Sequence, residues 1–322
     1  MLIKFILILL KSLVIIVPLL LSVAYFTIAE RKIMGAIQIR RGPNVVGYIG
    51  LLQPLADGAK LFVKEIIFPN SANELVFLLA PLMSLVFSFM GWAVIPFGLG
   101  LFFSDLNLGI LYIFLISALN VYSLLFAGWS SNSKYSYLGA IRSVAQMISY
   151  EISLGFSCLI VALSSGSYNL SKIVLAQKFI WFCIPLFPIA LIFLITILAE
   201  TNRHPFDLPE AESELVSGYN VEYSGMPFAQ FFLGEYANML LMSALTSILF
   251  FGGWFSNIYV LPDYLIFGFK ISLVVIYFIF NRAIFPRFRY DQLMVLGWKT
   301  LFSLILGYIL FLLGFLINLN GL

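Results

Sequence analysis

The amino-acid sequence predicts an all-α polytopic membrane protein with about eight transmembrane helices, a surface amphipathic helix and a long acidic loop. Three observations support this fold class. Hydrophobic residues make up 62% of the 322 residues. Charged residues make up only 10% of the chain, against about 25% in soluble domains. The mean hydropathy is +1.04, and a soluble globule of this composition would have no way to solvate its surface.

The long apolar runs give the predicted spans, because a helix needs about 20 mostly apolar residues to cross a bilayer. The first run is longer than the core of a signal peptide and lacks a small-residue cleavage pattern, so we interpret it as a retained helix. No internal repeat is visible, and we treat residues 1–322 as a single membrane domain. The predicted spans are 2–29, 75–96, 106–129, 137–163, 179–199, 230–255, 264–285 and 292–317.

The distribution of lysine and arginine predicts the orientation. Eight spans place both termini on one side. Twelve basic residues then lie on the other side, in loops 30–74, 130–136, 200–229 and 286–291 and at their helix edges, against four on the side of the termini. By the positive-inside rule these loops face the cytoplasm or the mitochondrial matrix. The 33 phenylalanines are typical of an AT-rich organellar gene, which favours the mitochondrial inner membrane over a bacterial plasma membrane.

The first long loop predicts a surface helix after the turn Gly42-Pro43-Asn44. From Pro54 onward, apolar residues recur at helical spacing with a polar side that includes Asp57, and proline is favourable in a first helical turn. This pattern indicates an amphipathic helix at the membrane surface. Arg31 and Arg40 flank an apolar segment of the same loop. They bind the headgroup of an amphipathic ligand, pair with the acidic loop, or act only as topology signals.

The second long loop carries a concentrated negative charge in the stretch ETNRHPFDLPEAESELVSGYNVE. Asp207, followed by Pro209 and two glutamates, is a helix-start pattern, and Gly218 would end that short helix. Carboxylates are costly beside hydrocarbon, so their concentration here indicates a function. The six acidic residues of the loop are Glu200, Asp207, Glu210, Glu212, Glu214 and Glu222.

Several charges lie inside the spans, among them Glu151, Glu235 and Lys270. Such groups persist by pairing, by facing water or by taking up a proton. A structural ion pair between helices would explain any one of them, whereas several together favour a polar path. The two cysteines and the single histidine, His204, exclude a disulfide framework, an iron–sulfur site and a bis-histidine haem site within the chain. No nucleotide-binding glycine pattern is present, and no nucleic-acid partner is expected.

Two long blocks and one short block resemble subunit 1 of the respiratory NADH:quinone oxidoreductase (complex I) family. The long blocks are AERKIMGAIQIRRGPNVVGYIGLLQPLADGAKLFVKE and AETNRHPFDLPEAESELVSGYNVEYSG, and the short one is R-PR-RYDQLM from Arg282 to Met294. The resemblance implies a membrane subunit that docks the hydrophilic arm, forms the quinone entrance channel and chamber wall, and couples quinone reduction to proton translocation. Ubiquinone would be the substrate, while NADH, FMN and iron–sulfur clusters would belong to partner subunits.

The resemblance also assigns roles to individual residues. Partners would be other membrane-arm subunits, the quinone-site subunits of the hydrophilic arm and membrane lipids. The quinone channel would be lined by Glu30, Arg31, Arg40, Glu65, Arg282 and Arg287. Proton coupling would involve Tyr150, Glu151, Glu200, Arg203, Asp207, Glu210, Glu212, Glu214, Glu222, Glu235 and Tyr236.

Two other functions remain open at this point. A stand-alone cation/proton transporter would use Glu151, Glu235 and Lys270, and would move ions when reconstituted alone. A docking scaffold without a role in the chemistry would tolerate neutral substitutions in the acidic loop once the complex is assembled. Membrane subunits of related hydrogenases and photosynthetic complexes are a further, minor alternative.

Overall fold

A computed structural model describes residues 2–208, 218–255 and 262–319, and the protein is helical with no β-strand in these ranges. The all-α polytopic class is therefore confirmed. The helices are α1 Leu2–Ile37, α2 Gln53–Val63, α3 Glu74–Met90, α4 Gly109–Ser130, α5 Lys134–Ser165, α6 Leu170–Ala176, α7 Phe187–Glu200, α8 Gly225–Phe250, α9 Asp263–Ile284, α10 Tyr290–Val295 and α11 Phe302–Leu319.

Seven helical segments within the described residues are long and apolar enough to cross a membrane, and α7 is shorter. Its 14 residues extend about 21 Å at 1.5 Å per residue, less than the roughly 30 Å of a bilayer core. Residues 179–186, which the sequence places in the same span, form turns that include Pro185. Proline lacks the N–H that a continuous helix needs, and Pro188 lies in the first turn of α7 instead.

Helix α8 is the centre of the bundle. It is buried along most of its length and packs against α1, α3 and α9. Helices α4 and α5 pack on each other, and α5 also contacts α7 and α11. Because α8 is enclosed by other helices, polar side chains on it face protein rather than lipid, which is the condition for a buried polar site.

The predicted surface helix is present as α2, with Pro54 in its first turn. None of its side chains is buried, and it packs on α1 and α8. The chain before it makes a tight turn at Gly50, where φ is +77° and a Cβ atom would lie 2.2 Å from the carbonyl oxygen of Pro43. Only glycine fits such an approach, so the turn that leads into α2 is sterically fixed.

The two long loops meet beyond α2. The Ser224 hydroxyl accepts a hydrogen bond from the Ile67 N–H at 3.0 Å and donates one to the Glu65 carbonyl at 3.4 Å. The start of α8 is thereby fixed next to the end of the first loop. The short helix predicted after Asp207 lies outside the described residues, and Gly218 begins a 3₁₀ turn that ends at Asn220.

Candidate functional site

The C-terminal part of α1 carries a buried carboxylate, Glu30. It forms ion pairs with Arg203, which follows α7, and with Arg282 near the end of α9. The Tyr236 hydroxyl, from α8, donates a hydrogen bond to Glu30 Oε2 at 2.6 Å. Four separate parts of the chain therefore converge on one carboxylate, which leaves Glu30 fully paired despite its burial.

Arg203 links this carboxylate to a second one. Its Nη1 lies 3.3 Å from Glu235 Oε1, and its guanidinium lies 5.2 Å from the centre of the Tyr236 ring. Burial by itself lowers the pKa of the Arg203 guanidinium, but Glu30, Tyr236 and Glu235 together outweigh this effect and raise the pKa. Arg203 is a permanent cation here. We call Glu30, Arg203, Glu235, Tyr236 and Arg282 the charge cluster.

The turn after α7 explains how Arg203 reaches the cluster. Asn202 adopts a left-handed conformation, with φ of +49°, which asparagine tolerates better than most residues. The Arg203 N–H then bonds back to the Leu198 carbonyl at 3.0 Å. From α5, the Gln146 amide donates to the carbonyls of Ala199 and Phe206, each at 2.8 Å. Both ends of the turn are therefore tied to α5.

Two further carboxylates, Glu200 and Glu151, lie deeper in the bundle. The Ser117 hydroxyl donates to Glu151 Oε1 at 3.1 Å. Glu200 is buried, and no described residue donates a hydrogen bond to its Oε2. In contrast to Glu30, neither of these carboxylates forms an ion pair within the described part of the chain. We call Glu151 and Glu200 the carboxylate pair.

Two small cavities connect the carboxylate pair with the charge cluster. The outer cavity, of about 40 Å³, is lined by both Glu235 and Glu200. The inner cavity, of about 30 Å³, is lined by both Glu200 and Ser117, the residue that contacts Glu151. The carboxylates therefore follow one another in the order Glu30, Glu235, Glu200 and Glu151, with polar groups or cavities between them.

An apolar groove of about 1100 Å³ runs along α1 from Leu10 to Ala29 and is closed on its other side by α9. Phe26 lines this groove and also packs edge-on against Tyr236, with ring centres 5.1 Å apart. The groove therefore ends beside the charge cluster. No residue of α2 lines it.

The remaining predicted site residues lie outside the charge cluster. Arg31 pairs with Asp57 of α2 at 2.8 Å, Arg40 contacts Gln38, and Glu65 is exposed. Arg287 lies 3.2 Å from Asp207. Glu222 is half-buried, whereas Glu210, Glu212 and Glu214 lie outside the described residues.

Tyr150 faces away from its neighbour Glu151. Its hydroxyl donates to the Leu293 carbonyl at 2.9 Å, in α10, just before the π-helical turn Leu296–Leu301. Lys270 also has a position apart from the cluster, twelve residues before Arg282 on α9. Its ammonium group donates to the carbonyls of Phe251, Gly253 and Phe255 at 2.6–2.8 Å, at the opposite end of α8 from Glu235.

Sequence reasoning missed the neutral polar residues of the site. Asn120 and Asn238 line both cavities, and neither was a candidate. Their spacing was a usable signal, since Ser117 and Asn120 are three apart on α4, and Glu235 and Asn238 are three apart on α8. Residues at this spacing share a helix face. Neutral amides inside apolar helices could have been treated like intramembrane charges.

Comparisons with known proteins agree along nearly the whole chain. The family model described as NADH dehydrogenase matches residues 10–313. NADH-ubiquinone oxidoreductase chain 1 from Chondrus crispus is 58% identical over 98% of both chains. An NADH-quinone oxidoreductase subunit from Rhodospirillum rubrum is 56% identical over 97% of this chain and 95% of its own. NADH-ubiquinone oxidoreductase chain 1 from Arabidopsis thaliana is 55% identical over 94% and 95%, respectively.

Proposed function

The chain belongs to the NADH dehydrogenase family, as a membrane subunit of an NADH–quinone oxidoreductase, and we propose that it couples quinone reduction to proton translocation. It forms the entrance channel and part of the chamber wall for ubiquinone. Its matrix loops dock the quinone-site subunits of the hydrophilic arm, which hold the FMN and iron–sulfur clusters that carry electrons from NADH. Its other partners are membrane-arm subunits and lipids, in the mitochondrial inner membrane.

The observation that carries this proposal is the position of the charge cluster. It lies where the apolar groove along α1 ends and where the polar cavities begin. A quinone with a long isoprenoid tail needs an apolar path for the tail and polar groups for its headgroup. The groove and the cluster supply these two environments in sequence, next to carboxylates that can hold protons.

The charge cluster can respond to quinone reduction through its arginines. A quinone takes up two electrons from the partner subunits and two protons to become quinol. The negative charge that forms before the protons arrive attracts the guanidiniums of Arg203 and Arg282. As these cations turn toward the ligand, Glu30 and Glu235 lose their counter-charge and take up protons. Glu235 then passes its proton toward Glu200 and Glu151. Electron transfer to the quinone thereby drives proton movement along these carboxylates.

The test of coupling is Glu235→Gln in the assembled complex, in sealed membrane vesicles. We expect proton translocation to fall about tenfold or more, because a positioned proton-transfer group contributes at least that much. NADH oxidation by an artificial acceptor should stay normal, since it reports only the hydrophilic arm. The control is Glu74→Gln, an exposed carboxylate at the start of α3. A variant that pumps like the wild type would refute the coupling role and leave only docking.

The test of the quinone path is a bulky residue in the groove. Ser22→Phe projects into it halfway along α1, whereas Leu21→Phe changes an exposed neighbour that does not line it. We expect Ser22→Phe to slow reduction of a long-tailed quinone while a short-chain soluble quinone reacts normally. Equal rates with both quinones, or equal effects of both variants, would exclude this groove as the path of the tail.

A further inference from the structure

We infer that Asn120 and Asn238 hold ordered water between Glu235, Glu200 and Glu151, so that these two amides are the positioning residues of the proton path. The inference rests on the proposed function. It explains how a proton crosses between carboxylates that do not contact one another. Asn120 and Asn238 line both cavities together with Met147, Glu200 and Thr201. They therefore stand at the junction of the inner and outer cavities.

The size of the cavities suits water. A buried water molecule needs a cavity volume of about 10–15 Å³ and two to four polar partners. The cavities measure about 30 and 40 Å³, so each accommodates roughly two water molecules. Neither volume is large enough for a quinone headgroup or a lipid chain. Water is the ligand class that fits both.

Unsatisfied polar atoms support the same conclusion. Glu200 Oε2 and Asn202 Oδ1 are buried, and no described residue donates a hydrogen bond to either. Glu200 is only 5% exposed and lines both cavities, while Asn202 lines the outer one. A buried acceptor without a donor destabilises the folded protein, and a bound water removes that cost. Water in these cavities would give both oxygens a partner.

The amides supply both a donor and an acceptor to each cavity. The other walls combine apolar groups, such as Phe87 around the inner cavity and Phe231 around the outer one, with hydroxyls and carboxylates such as those of Thr201 and Glu200. An asparagine amide both donates and accepts, so it can hold a water in either orientation. It is also uncharged, and therefore neither traps nor repels a passing proton. The Asn238 amide makes no hydrogen bond to another described residue and is available to water.

The proton transfer balances through these waters. Protonated Glu235 gives its proton to a water of the outer cavity, and that water gives one of its own protons to the Glu200 carboxylate. The same exchange through the inner cavity carries a proton from Glu200 to Glu151, whose Oε1 accepts from Ser117. Each water regains the proton that it loses, and no electron moves in these steps.

The experiment uses Asn238→Leu and Asn120→Leu, which keep the approximate volume but remove both polar atoms. Both are measured in the assembled complex in sealed vesicles, with the amount of complex determined from NADH oxidation by an artificial acceptor. We expect proton translocation per NADH to fall about tenfold, as when a proton-transfer group is lost. Asn238→Ser, which keeps a donor and acceptor, should retain most of the coupling. Asn318→Leu, exposed at the end of α11, is the matched control.

Glu200→Gln, measured in parallel, separates the two proposals. Loss of coupling in Glu200→Gln and in both leucine variants, with retention in Asn238→Ser, supports the water junction. If coupling is lost in Glu200→Gln but kept in both leucine variants, the result supports the proposed coupling function and refutes the water junction. Normal coupling in all variants refutes both. If Asn238→Leu fails to assemble, Asn120→Leu and a changed solvent isotope effect in Asn238→Ser decide the matter, since a purely structural role would leave that isotope effect at its wild-type value.

Discussion

The charge cluster and the carboxylate pair are adjacent, but they solve the problem of a buried carboxylate in opposite ways. Glu30 has two arginines and a tyrosine around it, from parts of the chain as distant as Arg203 and Arg282. Glu200 has a buried oxygen without a donor, and Glu151 has one serine. The first arrangement neutralises a carboxylate with counter-charges, whereas the second leaves room for a proton and for water.

The largest expected effect comes from breaking the charge cluster. Arg203→Leu leaves Glu30 and Glu235 with less counter-charge in a buried site, which we expect to cost about 3–5 kcal/mol. The amount of assembled complex should fall sharply. The double variant Arg203→Leu with Glu30→Leu should recover part of this loss, because the Glu30 carboxylate is then no longer buried without Arg203. Equal amounts of complex in the single variant and the wild type would show that the cluster does not fix the fold. The measurement is complex content in native gels, with thermal inactivation.

Lys270 sharpens the comparison, because it is a buried cation whose hydrogen bonds go to backbone carbonyls and whose ammonium group lies 4.8 Å from the centre of the Trp181 ring. Its ammonium group reaches the C-terminal end of α8, where the helix dipole favours a positive charge. Lys270→Met should destabilise the complex by about 1.5–3 kcal/mol, the value of a hydrogen bond to a charged group. Proton translocation per assembled complex should be normal, and Lys270→Arg should be milder. A coupling defect without a loss of thermal stability would instead favour the transporter role considered for Lys270.

The carboxylate pair should show the reverse behaviour. Glu200→Gln removes a proton-accepting group but breaks no ion pair within the described part of the chain, so thermal stability should change much less than in Arg203→Leu. Coupling should fall about tenfold. Thermal inactivation and proton translocation are measured on the same vesicles. The contrast with Arg203→Leu would disappear if Glu200→Gln reduced complex content to the same degree.

The fold was largely predictable because it depends on local patterns. Apolar length predicted the spans, and Pro54 with its helical spacing predicted α2. The contact between Glu30 and Arg282, 252 residues apart, was not predictable from spacing, since helix order in the chain does not give helix neighbours in the bundle. The resemblance named both residues as sites without pairing them. The cavities were also beyond reach, because volume depends on how side chains such as Met147 pack.

The smallest expected effect is a pH dependence from His204, next to the charge cluster. Burial lowers the pKa of His204; Asp207 opposes this shift, while Arg287, Arg282 and Arg203 add to it. The folded protein therefore favours neutral histidine. Below the unfolded pKa of about 6.5 the unfolded chain binds the additional proton, so this contribution to stability is complete above pH 6.5 and declines as the pH falls. His204→Gln should inactivate less steeply between pH 7 and pH 5.5 than the wild type, measured as half-lives at fixed temperature. Identical slopes would contradict a lowered pKa of His204 in the folded protein and would show that its protonation does not contribute to the pH dependence of stability.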